Sequence, residues 1–384
     1  MNRVAGGKKE VHVEMKAEVH KGIAGLNSLR KQWEKLHCFC DLWARFEWYH
    51  SYVTNLAVDA ENIYYIQVIA GGETVAIIPA EICAQKNGLI KSPKVLCLAF
   101  HSHISLTDFP LNPHIDPHKV AACMLQAFQK LPVKWNLIRW SRIMHSSHAL
   151  TVARTITNCT VLMRPGKLCN IVDTSKPFAE YFNTLSNHTR SQLRRMRKRL
   201  TEVGSWHIVQ NIDFEDIDTS YKEFLRIESS GWKGKAGSAI ELNRGARGFY
   251  ATLLEQSSLD FIPEITLLML ESKSIAGEFS ITTHACRYSL KVGYDEQYSK
   301  VTPGQLLTEE VVKYACGSTS IEQMNFITDM QHQLLWHPRR EETFDVIIFR
   351  RRLYGFLFNC YYLAGRLAKS AKQLILPENK MKKS

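Results

Sequence analysis

The chain has 384 residues, of which 45% are hydrophobic and 22% charged, and it carries a formal net charge of +12. That balance describes a globular protein long enough for more than one core, so two domains is the natural count. Ten scattered cysteines with no C-x-x-C and no histidines at zinc spacing exclude a structural zinc and a disulfide framework, and no run of 18 apolar residues offers a spanning helix.

From the N-terminus, the opening MNRVAGGKKEVHVEMK lacks the apolar core of a signal peptide, so a reduced cytoplasm is the expected location. Val68 to Ile78 (VIAGGETVAII) reads strand-turn-strand and is echoed 200 residues later by Leu268 to Glu278 (LMLESKSIAGE), with Val75-Ala76 answered by Ile275-Ala276. Pro165-Gly166 interrupts the pattern and marks the expected boundary between a first lobe, 1–166, and a second, 167–352. Beyond it, Arg190 to Arg199 carries six cations on a helix whose Leu193, Met196 and Leu200 recur at three- and four-residue spacing. Arg190, Arg194 and Arg197 share a face, which is either solvated or a contact for anionic nucleotide, tRNA or membrane phosphates.

Two helical patterns, Tyr221–Glu228 and Leu242–Ser257, flank a Gly-rich loop with Trp232-Lys233-Gly234. An aromatic and a cation there suit either stacking on a sugar or base, or anchoring of the loop. Three strands follow at Ile265–Leu270, Ile275–Thr283 and Cys286–Tyr294. The third breaks into a loop holding Pro303-Gly304 and opens a helix over about Gln305 to Cys316. A strand feeding a helix N-terminus this way leaves backbone N–H groups and the positive dipole end available to a phosphate, although Pro-Gly connections are also ordinary turns. A strand at Ile321–Ile327, a short helical piece near Gln331 to His337 and a strand at Phe344–Arg350 complete the lobe. The tail 353–384 mixes Tyr354, Phe356, Phe358 and Tyr361 with Arg366, Lys369 and Lys372; it reads as a docked terminal helix or a peripheral contact with an anionic membrane.

The order of an antiparallel meander followed by strand, helix, strand, helix, strand resembles the GCN5-related N-acetyltransferase (GNAT) fold. The pieces Arg190–Leu200, Glu228–Ile240 (ESSGWKGKAGSAI), Tyr288–Leu307 and Phe326-Ile327-Thr328-Asp329 to Trp336 are similar to the BioF-like/CelD-like acetyltransferases of bacterial polysaccharide biosynthesis, relatives of the Fem peptidyltransferases. Phe46-Glu47-Trp48, Val75 to Pro79 and Asp108-Phe109 extend the likeness more loosely into the first lobe. The resemblance implies an α/β (α+β) fold of two tandem GNAT-like lobes, each a mixed, mainly antiparallel sheet flanked by helices. It implies acetyl-CoA or a longer acyl-CoA as co-substrate, no metal, and direct transfer to an amine on a glycan precursor. A Fem-type use of aminoacyl-tRNA and a non-catalytic role at the membrane remain as alternatives.

On this footing the thioester lies between the strands Cys286–Tyr294 and Ile321–Ile327. The coenzyme phosphates fall on Ser299, Thr302, Pro303, Gly304 and Gln305, where only Gly304 keeps the family's Arg/Gln-x-x-Gly-x-Gly/Ala pattern. Glu278 and Asp295 are candidates for the base and Tyr294 for the acid; the alternatives are a Glu278 facing solvent and an Asp295 capping the strand exit. Lys291 would steady an anionic substrate, Trp232 and Lys233 match the family pattern, and Asp329 holds the acceptor or caps the next helix.

Overall fold

The computed structural model describes residues 14–84, 94–99, 101–211, 217–231, 237 and 239–350. Trp232, Lys233 and the basic tail 353–384 lie outside them.

The first lobe opens with strand β1 (Met15–Lys21), helices α1 (Gly22–Ser28), α2 (Arg30–Glu34) and α3 (Phe46–Asn55), and the hairpin β2 (Ile63–Ala70) and β3 (Glu73–Ala84). It continues through β4 (Lys94–Cys97), α4 (Pro117–Lys130), β5 (Leu137–Met144), α5 (His148–Arg154) and the long β6 (Thr160–Asp173). Helices α6 (Phe178–Thr184) and α7 (Asn187–Val203) lead to the second lobe: β7 (Trp206–Asn211), α8 (Ile217–Ser230), α9 (Arg244–Glu255), then β8 (Ile262–Leu270), β9 (Lys273–Thr283) and β10 (Cys286–Tyr294). A 3-10 turn (Glu296–Val301), α10 (Pro303–Gly317), β11 (Gln323–Asn325), a second 3-10 turn (Gln331–Trp336) and β12 (Arg339–Phe349) close the chain.

The echo read in the sequence is an echo in space. Val68 pairs with Ala76 and Ala70 with Glu73, with a register shift after Val68; Leu268 pairs with Ala276 and Leu270 with Lys273, with a shift after Leu268. Equal registers and equally placed irregularities make the hairpins counterparts, and each lobe has one parallel pair, β4 with β5 and β10 with β11.

The expected boundary at residue 166 needs correction, because β6 runs unbroken through Pro165 and Gly166. Its first half pairs with the end of β12, its second half with the start of β12 and with β11, while β12 also pairs with β5 of the first lobe. The two lobe sheets therefore merge into one twelve-stranded sheet, ordered β1-β2-β3-β4-β5-β12-β6-β11-β10-β9-β8-β7. Gly166 is required at that junction: a Cβ there would meet Thr343 Oγ1 at 2.6 Å.

One face of the sheet is covered jointly by α1–α3 of the first lobe and α8–α9 of the second, whose Trp33, Trp48, Phe249 and Tyr250 share a single core with Ile265 and Phe279. Amphipathic periodicity explains the other layer: Leu193, Met196 and Leu200 of α7 pack with Leu306, Leu307 and Val311 of α10. Arg197 leaves the solvated face expected for it and donates to Glu309 Oε1 of α10 at 2.8 Å, whereas Arg194, Arg195 and Arg199 remain exposed.

Candidate active site

The loop between β10 and α10 is built by local chemistry. Asp295 accepts a hydrogen bond from the Gln297 N–H at 3.0 Å and from Lys273 Nζ at 2.9 Å, which fixes the strand exit. Burial works against its charge, but the Lys273 ammonium and the Gln297 N–H outweigh it and hold the carboxyl below the usual range. Ser299 lies in the 3-10 turn and its carbonyl accepts the Thr302 N–H at 3.1 Å. Thr302 is left-handed, with φ 52 and ψ 53, at the position where the family pattern has its first glycine. The fold thus keeps the glycine conformation with a threonine. Pro303 begins α10, Gln305 follows half-buried, and no acceptor meets the Gly304 N–H among the described residues. A left-handed residue followed by a free amide at a fifteen-residue helix N-terminus is a cradle that fits a phosphate.

From this loop β10 runs back along the sheet, with a bulge against β9 between Ser289 and Lys291. Its ladder with β11 covers only Cys286–Tyr288 against Gln323–Asn325. After Asn325 the chain turns to β6: the Phe326 N–H donates to Asn170 O at 2.9 Å, and Ile327 adopts φ 65 with its N–H held by Asn325 Oδ1 at 2.7 Å. A buried β-branched residue in the left-handed region is strained, and here it sits where the two parallel strands part.

Beside the paired segment lies a cavity of about 740 Å³ between the lobes, lined by Cys286, Tyr288, Gln323 and Asn325 and by Asp41, Asp108, His148, Arg339, Arg340 and Glu341. Asp108 is already engaged, since its carboxylate accepts the His148 and Ala149 N–H groups at 3.0 and 2.8 Å at the start of α5. Glu341 accepts from Ser146 Oγ at 2.8 Å and from Arg339 at 3.1 Å. Asp41 is different. Its side chain stays accessible to solvent at the cavity wall, while the protein packed around it partly desolvates the carboxylate and raises its carboxyl above the usual range, with His148 pulling the other way. Its one hydrogen bond among the described residues is a long one, from the Tyr288 hydroxyl at 3.4 Å. Tyr288 is itself held in place by an edge contact with Trp43, ring centroids 5.5 Å apart. Burial pushes the Cys286 thiol up to about 12, so it stays protonated at neutral pH and offers no thiolate nucleophile.

The residues expected to do the chemistry are distributed otherwise. Glu278 neither faces solvent nor stands free to take a proton: it is 2% exposed, pairs with Arg287 at 3.1 Å and accepts a short hydrogen bond from Ser289. Asp295 is occupied by Lys273 and Gln297, so geometry gives it the capping task instead of proton removal. Tyr294 lies at the phosphate-loop end, where a Cβ on Gly304 would meet its ring at 3.4 Å, and not at the cavity. Lys291 is half-buried just past the bulge, and Asp329 is half-buried after β11. Asp329 is not the cap expected of it: Met330 occupies that position, and its N–H donates to Gln333 Oε1 at 3.0 Å. Trp336 is fully buried core. Sequence reasoning missed Asp41, His148, Arg339 and Glu341. Asp41 comes just before the quoted Phe46-Glu47-Trp48, and of the quoted first-lobe pieces only Asp108-Phe109 includes a residue that lines the cavity.

A two-lobed α/β architecture with a parallel strand pair ending beside a phosphate-type helix N-terminus is that of GNAT-like transferases. Residues 187–332 match the family model described as Acetyltransferase (GNAT) domain, and the protein is an acyltransferase by this domain. Among solved structures the chain is similar to FemX, with a TM-score of 0.55 and 13% identity over 83% of this chain and 95% of that one. It is also similar to the C-terminal domain of a putative lysylphosphatidylglycerol synthetase from Agrobacterium fabrum, with a TM-score of 0.51 and 10% identity over 87% of this chain and 95% of that one. L-PGS from Bacillus licheniformis gives a TM-score of 0.51 and 12% identity over 85% and 95%. At these identities the likeness is one of fold. No curated protein matches the sequence.

Proposed function

We propose that this protein transfers an acyl group from acetyl-CoA or a longer acyl-CoA directly to an amine, on an amino sugar or related precursor of the cell envelope or an exopolysaccharide. The observation that carries the reading is the ending of the β10–β11 ladder at Tyr288 and Asn325, between the Thr302–Gly304 cradle at one end and the interlobe cavity at the other. The donor's phosphates sit at the cradle and its thioester in the gap, and the acceptor enters through the cavity. Asp41, its carboxyl raised by the protein packed around it, takes one proton from the ammonium acceptor; the amine nitrogen then attacks the thioester carbon, the carbon–sulfur bond breaks, and the departing coenzyme A thiolate takes up the proton that the acylated nitrogen loses, leaving as the free thiol. The envelope precursor rests on the sequence resemblance alone.

Calorimetric titration with acetyl-CoA and long-chain acyl-CoA tests the donor: micromolar binding of either supports it, and binding of neither refutes it. A second reading, Fem-type transfer from aminoacyl-tRNA, draws support from the threonine in place of a loop glycine and from the exposed Arg194, Arg195 and Arg199. Binding of aminoacyl-tRNA, lost at high salt, would select it. No helix among the described residues is long and apolar enough to cross a membrane. A weak peripheral contact with anionic membrane through the basic tail is part of the proposal, and it requires that deletion of 353–384 abolish cosedimentation with anionic vesicles.

A further inference from the structure

The charges lining the interlobe cavity are not equivalent. Asp108 is committed to the start of α5, and Glu341 and Arg339 are committed to each other and to Ser146. The half-buried His148 ring faces the Phe109 carbonyl, with Nδ1 3.2 Å from the oxygen, and His145 meets Arg154 and the Phe344 ring. Three groups are left over: Asp41, Arg340 and the exposed Glu342 two residues further along β12, which makes no ion pair among the described residues. Asp41 lies on the cavity wall against Tyr288, and Arg340 is exposed with no carboxylate partner among the described residues. Their places in the fold differ as well. Asp41 is on the first lobe beside the point where β10 and β11 part, whereas Arg340 is near the start of β12, opposite Asn170. A second opening of about 490 Å³, lined by Asp173, Glu322 and His337, shares Ile171, Gln323 and Arg339 with the cavity.

We propose that the acceptor is a primary amine carrying an anionic group in the same molecule, its ammonium directed to Asp41 and its anion held by Arg340, with Arg339 released from Glu341 as a second donor. The inference rests on the acyltransferase reading and narrows its acceptor class. A neutral amine would leave Arg340 without an ion-pair partner, since Glu342 makes none with it, and an anion lacking an amine would meet Asp41 as a like charge. Recognition therefore selects for both groups together. The pair also fixes direction, because the amine end alone can reach the strand gap where acyl transfer takes place.

The test uses the full chain and four probes in calorimetry: glucosamine 6-phosphate, glucosamine, glucose 6-phosphate and glucosaminate. The proposal expects glucosamine 6-phosphate or glucosaminate to bind at least about tenfold tighter than glucosamine, and glucose 6-phosphate to bind more weakly still. The tighter of the first two identifies phosphate or carboxylate as the anion. Arg340→Ala should remove the advantage of the anionic amines and leave glucosamine unchanged; Asp41→Asn should weaken the amines and spare glucose 6-phosphate. Arg340 is exposed, so its variant has no core to disturb. Equal binding of charged and neutral amines, a uniform loss in Arg340→Ala, or no binding by any probe overturns the inference. Parallel titration with acyl-CoA separates the two levels: acyl-CoA binding without anion selectivity refutes the acceptor class alone, and anion selectivity without acyl-CoA binding refutes the donor instead.

Discussion

Replacing Arg287 by methionine removes the centre of a buried ionic cluster spread across three neighbouring strands. Arg287 is fully buried on β10, ion-paired through Nη1 with Glu264 of β8, and its Nη2 donates to Glu278 of β9 and to Thr266, both at 3.1 Å. The Tyr314 ring of α10 covers it, 5.6 Å from the guanidinium carbon. Methionine fills much of the volume but leaves two carboxylates buried with no cation, a situation that costs about 3–5 kcal/mol. For a chain of 384 residues the unfolding entropy is about 0.8 kcal/mol per kelvin, so the melting temperature should fall by about 4–6 °C if unfolding is two-state. Scanning calorimetry measures the shift. The control is the triple variant Glu264→Leu, Glu278→Leu, Arg287→Met, which removes the uncompensated charge and should recover most of the loss. A drop below 1 °C in the single variant, or a triple variant no better than the single, would refute the account of Glu278 as a structural anion.

Asp41→Asn should lower kcat/KM by about 10²–10⁴-fold with little effect on folding, and equal activity of the two proteins would dismiss Asp41 as the base. The raised Asp41 carboxyl also sets a sign: the folded state favours its protonated form, so its contribution to stability is present at low pH and disappears as pH rises through its raised folded value. A pH titration of melting temperature should lose that slope in the asparagine variant. Gly304→Glu places bulk and negative charge at the helix N-terminus while asking only a small shift of the Tyr294 ring, and acyl-CoA affinity should drop at least about tenfold in a protein that still folds. His37 is held down to about 4 by burial and by the Arg45 charge, so it is neutral when folded and protonated when unfolded below about pH 6.5. Stability should therefore decline by roughly 3 kcal/mol as pH falls from 6.5 to 4, and His37→Gln should flatten that limb of the urea-denaturation profile.

What the sequence determined by itself was local and periodic. The hairpin echo, the helix over α10, the apolar stripe Leu193, Met196 and Leu200, and the meander β8–β10 follow from two- and four-residue spacing and from turn residues, so they were legible without neighbours. Strand β11 was overestimated because Phe326 and Ile327 are apolar for packing reasons while their backbone has already left the ladder. Tertiary structure alone decided the rest. Glu278 reads as a free carboxylate until Arg287 and Glu264 arrive from adjacent strands, and Pro165-Gly166 reads as a break until β12 is seen to pair across it. Asp41 gains its character only when the first lobe closes over β10, 247 residues away in sequence from its partner Tyr288. Propensity and periodicity act over a few residues, whereas desolvation and charge pairing depend on whatever the fold brings within a few ångströms.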